Sequence, residues 1–266
     1  MQRIEFDDDI TAFYDRGEEA GRLDDWGRLE RVRTQELLGR VLPPPPATVL
    51  DVGGGPGAYA VWLAGLGYDV TLIDPVALHV EQARAAGVRA ELGDARALDA
   101  TDESADAVLL LGPLYHLPDA ADRRAALAEA RRVLRPGGVL AVAAISRFAS
   151  TIDGLLKRYL EDPEFEAAIQ RVLQSGGHTN PTRHPRWFTT AYFHLPDELA
   201  GELSAASFDV SALLAVEGVG AFLGDANEWL EDPDRRAVLL RAIARTEAEP
   251  SLLGASPHFL AVGHKR

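Results

Sequence analysis

A glycine-rich turn is the feature of this sequence best suited to support chemistry. It runs Asp51-Val-Gly-Gly-Gly-Pro-Gly57, directly after a predicted strand at 49–52 and directly before a predicted helix at 58–66. Gly53, Gly55 and Gly57 allow the backbone to turn tightly and let a ligand approach without a Cβ in the way. The start of the helix adds free N–H groups that favour polar ligand atoms. The alternative is a tight strand-to-helix connection that binds nothing.

The spacing of this turn bears on the kind of cofactor. Dinucleotide-binding folds use G-x-G-x-x-G, in which the last glycine packs the helix against the strand. Here Gly57 falls one residue early and Pro56 intervenes. A Tyr-x-x-x-Lys pair near the sheet edge is also missing, since the lysines are Lys157 and Lys265. A nicotinamide-dependent oxidoreductase therefore remains a disfavoured alternative.

Acidic side chains accompany the strands that follow. Asp74 ends the second predicted strand, Gly93-Asp94-Ala95 ends the third, and Asp106 opens the fourth. An acid at the end of the second strand can accept two hydrogen bonds from ribose hydroxyls. Asp94 and the N–H of Ala95 can pair with an adenine edge. Because open α/β sheets bind ligands at one edge, we expect these acids to converge there. For each acid alone, a loop or capping role is the alternative.

The order of strands and helices predicts the fold. Strands at 49–52, 69–74, 88–92, 105–111 and 139–145 alternate with helices at 58–66, 76–86 and 120–134, which indicates a parallel sheet covered on both faces. Helical patterns are also predicted at 10–42, 152–173 and 225–247, and strands at 208–216 and 258–262. We predict one domain, made of a helical lid (1–46), a cofactor-binding core (47–146), an inserted helical and loop cap (147–195) and a completion of the sheet (196–266).

The central hundred residues resemble the class I S-adenosylmethionine-dependent methyltransferases, in their small-molecule branch. The matching features are the turn 51–57, Asp74, Gly93-Asp94, the strand 106–111 and Leu134-Arg-Pro-Gly-Gly138. The resemblance implies a Rossmann-like, doubly wound, seven-stranded sheet of order 3-2-1-4-5-7-6, with an antiparallel last strand at 258–262. About forty residues separate the last two strands, where family members often have a short hairpin, so the topology of 217–257 stays open.

The resemblance also implies S-adenosyl-L-methionine as cofactor. Asp51, Gly53 and Gly55 would then lie against its methionine part, Asp74 on the ribose, and Asp94 with Ala95 at the adenine. An N-terminal aromatic and an arginine, Tyr14 and Arg22, would cover the methionine end, since a guanidinium pairs with a carboxylate through a fork of donors. The alternative is that Tyr14 anchors its helix and Arg22 pairs with Asp24 or Asp25. The remaining predicted cofactor-binding residues are Gly57, Pro75 and Leu111.

His116 is the candidate general base. It follows the fourth strand in Gly112-Pro-Leu-Tyr-His-Leu117, and an imidazole of ordinary pKa accepts a proton at neutral pH. Tyr115 is the second catalytic candidate, or lines the cofactor or substrate instead. The alternative for His116 is a loop-capping or backbone-bonding role. Methyl transfer is an in-line displacement, so alignment of the reactants matters most and a base is needed only if the nucleophile carries a proton.

The predicted cap holds the candidate substrate residues His178, Trp187, Phe188 and Tyr192. Aromatic and imidazole groups suit a flat, partly polar organic substrate, although packing within the cap explains each of them equally well. A metal is not expected, because His178, His184 and His194 are spaced six and ten residues apart and match no helical ligand pair.

Composition narrows the class of partner. The chain has 266 residues, 47% hydrophobic, a formal net charge of −14 and no cysteine. The charge argues against a nucleic-acid partner, and the missing cysteines exclude thiolate sites. No long apolar run or basic leader is seen, and Asp7 to Asp9 are acidic, so we expect a cytoplasmic monomer or homodimer without membrane attachment. A cofactor-binding regulator without activity is the second alternative.

Overall fold

The computed structural model describes residues 8–17, 19–180, 183, 184 and 187–266. Residues 1–7, which enter the expectation about a leader, lie outside them. The strands are Thr48–Val52 (β1), Asp69–Asp74 (β2), Arg89–Leu92 (β3), Ala105–Leu110 (β4), Leu134–Ile145 (β5), Gly177–His178 (β6), Ala191–Tyr192 (β7), Phe208–Ala215 (β8) and His258–Lys265 (β9). The helices are Asp8–Tyr14 (α1), Glu19–Arg22 (α2), Arg28–Val41 (α3), Ala58–Gly65 (α4), Ala77–Ala85 (α5), Ala120–Val133 (α6), Ala149–Leu156 (α7), Pro163–Ser175 (α8), Pro196–Ala205 (α9), Ala226–Glu231 (α10), Pro233–Ala244 (α11) and Pro250–Leu253 (α12).

Seven strands form one sheet in the order β3-β2-β1-β4-β5-β9-β8. Strands β1 to β5 pair in parallel, whereas β9 runs antiparallel to both β5 and β8. Counted along the chain within this sheet, the order is 3-2-1-4-5-7-6, which confirms the predicted doubly wound α/β fold. Strands β6 and β7 form a separate two-stranded pair.

Both faces of the sheet are buried, which explains the continuous apolar run of β4. Val108 and Leu110 point into a core with α6 and α9, while Ala107 and Leu109 point into a second core with α3, α4 and α5. A strand covered by helices on both sides loses the alternation of apolar and polar residues. This two-sided cover leaves the ends of the strands as the places where a ligand can enter.

Three predicted helices are interrupted in the structure. The stretch 10–42 comprises α1, α2 and α3, with turns near Gly17 and Gly27. The stretches 152–173 and 225–247 divide where Asp162 precedes Pro163 and where Asp232 precedes Pro233. Proline lacks an N–H and disfavours helical geometry in the residue before it, so each Asp-Pro pair starts a new helix. The side chains of both aspartates cap the new helix by accepting backbone N–H groups.

The segment between β8 and β9, whose topology the sequence left open, contains α10, α11 and α12. Helix α11 packs Leu239 and Ile243 against Leu29 of α3. Residues 217–257 therefore form a layer against the N-terminal helices. No helix of the described ranges is long and apolar enough to cross a membrane.

Arg33 of α3 connects this layer to the sheet. Its side chain is fully buried, donates from Nε to the carbonyl of Val216 at 3.0 Å, and pairs through Nη2 with Glu247 at 2.6 Å. Nη1 reaches Glu36 at 2.6 Å. Glu247 also accepts from Arg40 at 2.7 and 3.0 Å, so removing Arg33 would weaken one ion pair and leave the Val216 carbonyl without its donor.

We expect Arg33→Leu to lower the free energy of unfolding by about 2 kcal/mol, because the Val216 carbonyl loses its donor and Glu247 keeps only Arg40 as a partner. Urea denaturation followed by circular dichroism measures this change. Arg245→Leu, which alters an exposed arginine two residues from Glu247, is the matched control. Equal stability of the two variants would show that Arg33 does not support this layer.

Candidate functional site

A cavity of about 380 Å³ opens at the carboxyl edge of the sheet. The ends of β1, β2, β3 and β4 form its floor, and the N-terminal helices form a wall. All thirteen predicted cofactor-binding and catalytic residues line it: Tyr14, Arg22, Asp51, Gly53, Gly55, Gly57, Asp74, Pro75, Asp94, Ala95, Leu111, Tyr115 and His116.

The glycine turn requires glycine for steric reasons. Gly53, Gly55 and Gly57 have φ angles of 68°, 57° and 97°, a region that other residues rarely adopt. A Cβ on Gly53 would lie 2.6 Å from Cγ of Pro113, in the turn that follows β4. The turns after β1 and β4 therefore meet at the point where the strand order reverses, where open α/β sheets bind their ligands.

Asp51 lies beneath this turn and is fully buried. Burial and the neighbouring charge of Asp74 raise the pKa of Asp51 to about 7. The backbone N–H of Ala60 offsets part of this rise in the pKa, but no donor in the described part of the chain meets full hydrogen-bond geometry with either carboxylate oxygen. A buried carboxyl group of this kind costs free energy unless a ligand supplies a donor, such as an ammonium group.

Asp74 holds the second side of the cavity. Its Oδ2 accepts the N–H of Gly55 at 2.9 Å, and Oδ1 accepts the N–H of Val76 at 2.9 Å and lies 3.1 Å from Nδ1 of His79. Because a carboxylate only accepts, Nδ1 of His79 carries the hydrogen. Nε2 of His79 is buried and has no partner among the residues described. This edge of the cavity thus presents acceptor atoms to a ligand that carries hydroxyl or amino groups.

Asp94 lines the cavity but is already paired. Its two oxygens accept from Nε and Nη2 of Arg96 at 2.9 and 2.7 Å. Asp106, expected at the same edge as Asp74 and Asp94, lies at the opposite one. Its carboxylate accepts the N–H of Thr48, the first residue of β1, and pairs with Arg135. The expectation of convergence is wrong for Asp106, because a residue that opens a parallel strand lies at the amino edge.

Tyr14 and His116 join the N-terminal helix α1 to the turn after β4. Oη of Tyr14 lies 2.6 Å from Nε2 of His116, and both side chains line the cavity. Burial lowers the pKa of His116 to about 4, so the imidazole is neutral and a weak base. The expectation of an ordinary pKa for His116 is wrong for this reason. Burial raises the pKa of both Tyr14 and Tyr115.

Arg22 forms ion pairs that differ from the predicted alternatives. It donates to Glu19 at 2.8 Å and to both oxygens of Glu30 at 2.5 and 3.0 Å, and not to Asp24 or Asp25. The guanidinium therefore lines the cavity as part of an ion-pair cluster with the carboxylates of Glu19 and Glu30.

A second polar cluster lies beside the cavity, where β9 begins at His258. Ligand atoms of Glu30, Glu217 and His258 lie within 4.8 Å of one another. Nδ1 of His258 is 2.6 Å from Oε1 of Glu217, and Glu30 is held by Arg22. Each of these atoms already has a hydrogen-bond partner, and we interpret the cluster as an ion-pair network.

The four predicted substrate residues of the cap do not line this cavity. His178 stacks on Phe193 and bonds to the carbonyl of Phe188 at 3.1 Å. Trp187 packs on Phe165, with ring centres 5.3 Å apart, in the core of the cap. Tyr192 lies 3.8 Å beneath the guanidinium of Arg123. His178, Trp187 and Tyr192 therefore pack within the protein, as the alternative reading of the sequence expected.

Phe188 is the exception among these four. Its ring centre is 5.6 Å from that of His116 and 5.6 Å from that of Phe13 in α1. It packs against residues that line the cavity and connects the cap to α1.

Sequence reasoning missed several polar residues that line the cavity, among them Glu30, His79 and His258. The signal for His79 was its place five residues after Asp74, in the first turns of the next helix. The signal for His258 was the predicted antiparallel last strand, whose first residue must lie at the carboxyl edge. Glu30 offered none, because the folding of α3 back over the sheet is not visible in its pattern.

Comparison with known proteins assigns the domain. Residues 50–142 match the model of a methyltransferase domain family. The chain is 36% identical over 133 residues, 45% of its length, to a ubiquinone/menaquinone biosynthesis C-methyltransferase of Acidiphilium cryptum, of which 52% is covered. It is 34% identical over 159 residues, 54% of its length, to an O-methyltransferase of Penicillium expansum, of which 56% is covered. The chain thus spans about half the length of these curated relatives.

The fold has a wider match among solved structures. An S-adenosylmethionine-dependent methyltransferase of Thermotoga maritima, described as a possible histamine N-methyltransferase, superposes with a TM-score of 0.62 at 21% identity. The alignment covers 97% of this chain and all of that one. Residues 50–142 therefore match a methyltransferase domain, and the chain shares the fold of a solved S-adenosylmethionine-dependent methyltransferase.

Proposed function

We propose that the protein transfers a methyl group from S-adenosylmethionine to O, N or C of a small-molecule acceptor, of the kind found in specialised metabolism. The observation that carries this proposal is one continuous cavity at the switch point of the sheet, which joins Asp51 and Asp74 to Tyr115 and His258. The polar groups on one side suit a nucleoside-bearing ligand, which leaves the other side for an acceptor. The net charge of −14 supports a small acceptor over a nucleic acid.

The residues of the first side fit an adenosyl amino acid. The buried carboxyl of Asp51 lacks a donor, which the ammonium group of the methionine part would supply. Asp74, fixed by the N–H groups of Gly55 and Val76, would accept from the ribose. Asp94 and Ala95 are proposed at the adenine, with Pro75 and Leu111 as apolar walls.

Tyr14, Arg22 and Gly53 are proposed at the methionine end. Arg22 can reach a ligand carboxylate only by sharing its donors with Glu19 and Glu30. The guanidinium has five N–H groups, so sharing is possible. Phe188, packed on His116, is the cap residue that best fits a role next to the acceptor.

The bound donor supplies a methyl group already activated on a sulfonium. The protein's part is to align the acceptor with that group and to exclude water. His116 and Tyr14 are buried and neutral, and because they hydrogen-bond to each other they form a wall of the cavity that carries no charge. Matching relatives named as C- and O-methyltransferases support both kinds of acceptor atom.

Calorimetry and mass spectrometry test this function. We expect binding of S-adenosylmethionine and of S-adenosylhomocysteine, and no binding of NADH. Incubation with a small-molecule extract and donor carrying a deuterated methyl group should label at least one acceptor. Binding without labelling would favour the cofactor-binding regulator, and binding of NADH alone would favour the oxidoreductase.

We expect Asp74→Asn to weaken binding of S-adenosylhomocysteine about 10- to 100-fold, equivalent to about 1.5–3 kcal/mol for lost charge-assisted hydrogen bonds. Titration calorimetry measures the effect. Asp69→Asn, at the exposed start of the same strand, is the control and should bind like the parent protein. Parent-like affinity of Asp74→Asn would remove Asp74 from the ribose site.

The pKa of His116 predicts an acid-sensitive stability. Burial keeps it neutral down to about pH 4, whereas in the unfolded chain it binds a proton near pH 6.5. The free energy of unfolding should therefore fall as the pH decreases from about 6.5 to 4, by up to about 3 kcal/mol. Chemical denaturation across this range should show a shallower decline for His116→Gln. Parallel curves for variant and parent would contradict the buried neutral imidazole.

A further inference from the structure

The cavity divides along the sheet into two halves. The half at the ends of β1, β2 and β3 carries Asp51, Asp74 and Asp94, the groups suited to an adenosyl ligand. The other half, at the ends of β4, β5 and β9, carries different chemistry. It is lined by Ala143, Val216, Tyr59, Tyr115, Glu30 and His258. Once the donor occupies the first half, this second half is where an acceptor must lie.

His258 is held in one orientation in this second half. It begins β9, opposite Ile145 at the end of β5. Oε1 of Glu217 lies 2.6 Å from Nδ1 of His258, while Oε2 of Glu217 accepts the N–H of His258 at 3.0 Å and the hydroxyl of Ser256 at 3.1 Å. The carboxylate is thus fixed by three contacts, and it keeps the hydrogen of the imidazole on Nδ1.

Nε2 is the ring nitrogen left for a ligand. No hydrogen bond to it forms within the ranges that the structure describes, and the side chain lines the cavity and is 21% exposed. His116 differs in each respect, since its Nε2 is bonded to Tyr14 and its ring is buried. Of the two imidazoles, His258 is the one whose Nε2 can meet a ligand atom while a carboxylate holds the ring in place.

The charges around His258 favour the protonated ring. Glu217 and Glu30 face it from the segment after β8 and from α3, and Arg22 faces it from α2. Burial alone would lower the pKa of His258, but the two carboxylates outweigh burial and Arg22 and raise it to about 9. The ring therefore retains a proton in the presence of an oxyanion.

We propose that protonated His258, oriented by Glu217, donates a hydrogen bond from its Nε2–H to the oxyanion of an acidic hydroxyl group, and that the acceptor is a flat phenol or enol. The aromatic walls of Tyr59 and Tyr115 suit such a ring. This inference rests on the proposed methyl transfer.

On binding, the acceptor's O–H bond breaks and its proton goes to water, while the Nε2–H of the imidazolium donates to the oxyanion that forms. An electron pair of the oxygen forms the bond to the methyl carbon, and the electrons of the carbon–sulfur bond stay on sulfur. His258 keeps its own proton throughout. Glu217 is a positioning residue, because it acts through His258.

The test uses 4-nitrophenol as probe, because its phenolate absorbs in the visible and the neutral phenol does not. The full chain is loaded with S-adenosylhomocysteine at pH 6, and bound probe is followed by difference spectra. We expect the parent protein to bind the phenolate form. His258→Gln should bind it at least tenfold more weakly, while its affinity for S-adenosylhomocysteine stays unchanged. His264→Gln, on the same strand but at its other end, should behave like the parent.

Two further measurements keep the test decisive if His258→Gln folds poorly. In the parent protein, two-dimensional NMR of the imidazoles should show His258 shifting on addition of 4-nitrophenol. In Glu217→Gln, the midpoint of the His258 titration should move to lower pH, with affinity for S-adenosylhomocysteine retained.

The outcomes separate this inference from the proposed function. Binding of S-adenosylhomocysteine without binding of the phenolate, or phenolate binding that survives His258→Gln, overturns the role of His258 and leaves methyl transfer standing. Loss of phenolate binding on addition of EDTA would indicate a metal centre at Glu30, Glu217 and His258 and would also overturn it. Failure to bind S-adenosylhomocysteine at all rejects the proposed function itself.

Discussion

The close approach of two turns is the constraint on which the rest of the site depends. A Cβ on Gly53 would lie 2.6 Å from the ring of Pro113, and one on Gly54 would lie 2.6 Å from Oδ2 of Asp51. The turn after β1 can follow this path only as bare backbone. That path brings the N–H of Gly55 to Asp74 and leaves Asp51 buried beneath the turn. The glycines thus determine which polar atoms meet at the edge of the sheet.

This arrangement leaves polar groups without hydrogen-bond partners at the place where a ligand is expected to bind. The carboxylate of Asp51 and Nε2 of His79 are buried without partners in the described structure. Each such group destabilises the folded state by about 1–3 kcal/mol. A ligand that supplies donors to both recovers this free energy on binding, so part of its affinity arises from the relief of an existing penalty. The same argument explains why the pKa of Asp51 rises toward 7, since protonation is the other way to lower the cost of burial.

The sequence predicted the features that depend on local pattern. The alternation of strands and helices and the turn 51–57 have short-range signals, whereas the antiparallel last strand was implied by the resemblance to a known family. The structure confirms the fold that they indicated. Features that depend on contacts between distant segments could not be predicted. Arg22 meets Glu30 because α2 and α3 fold against each other. Asp106, which was expected beside Asp74, lies at the opposite edge of the sheet. The aromatic residues of the cap were recognised from their types, but residue type alone does not tell a core residue such as Trp187 from one that lines a binding surface.

Two histidines of this cavity show how environment decides what one side chain can do. His116 is buried against the hydroxyl of Tyr14, a neutral partner that cannot stabilise a charge, so burial dominates and lowers its pKa. His258 is also mostly enclosed, but two carboxylates face it and their attraction exceeds the cost of burial. Position after the fourth strand favoured His116 as the base on sequence grounds. The structure shows that a histidine's capacity to hold a proton depends on its charged neighbours, and those neighbours, Glu30 and Glu217, come from segments far away in the chain.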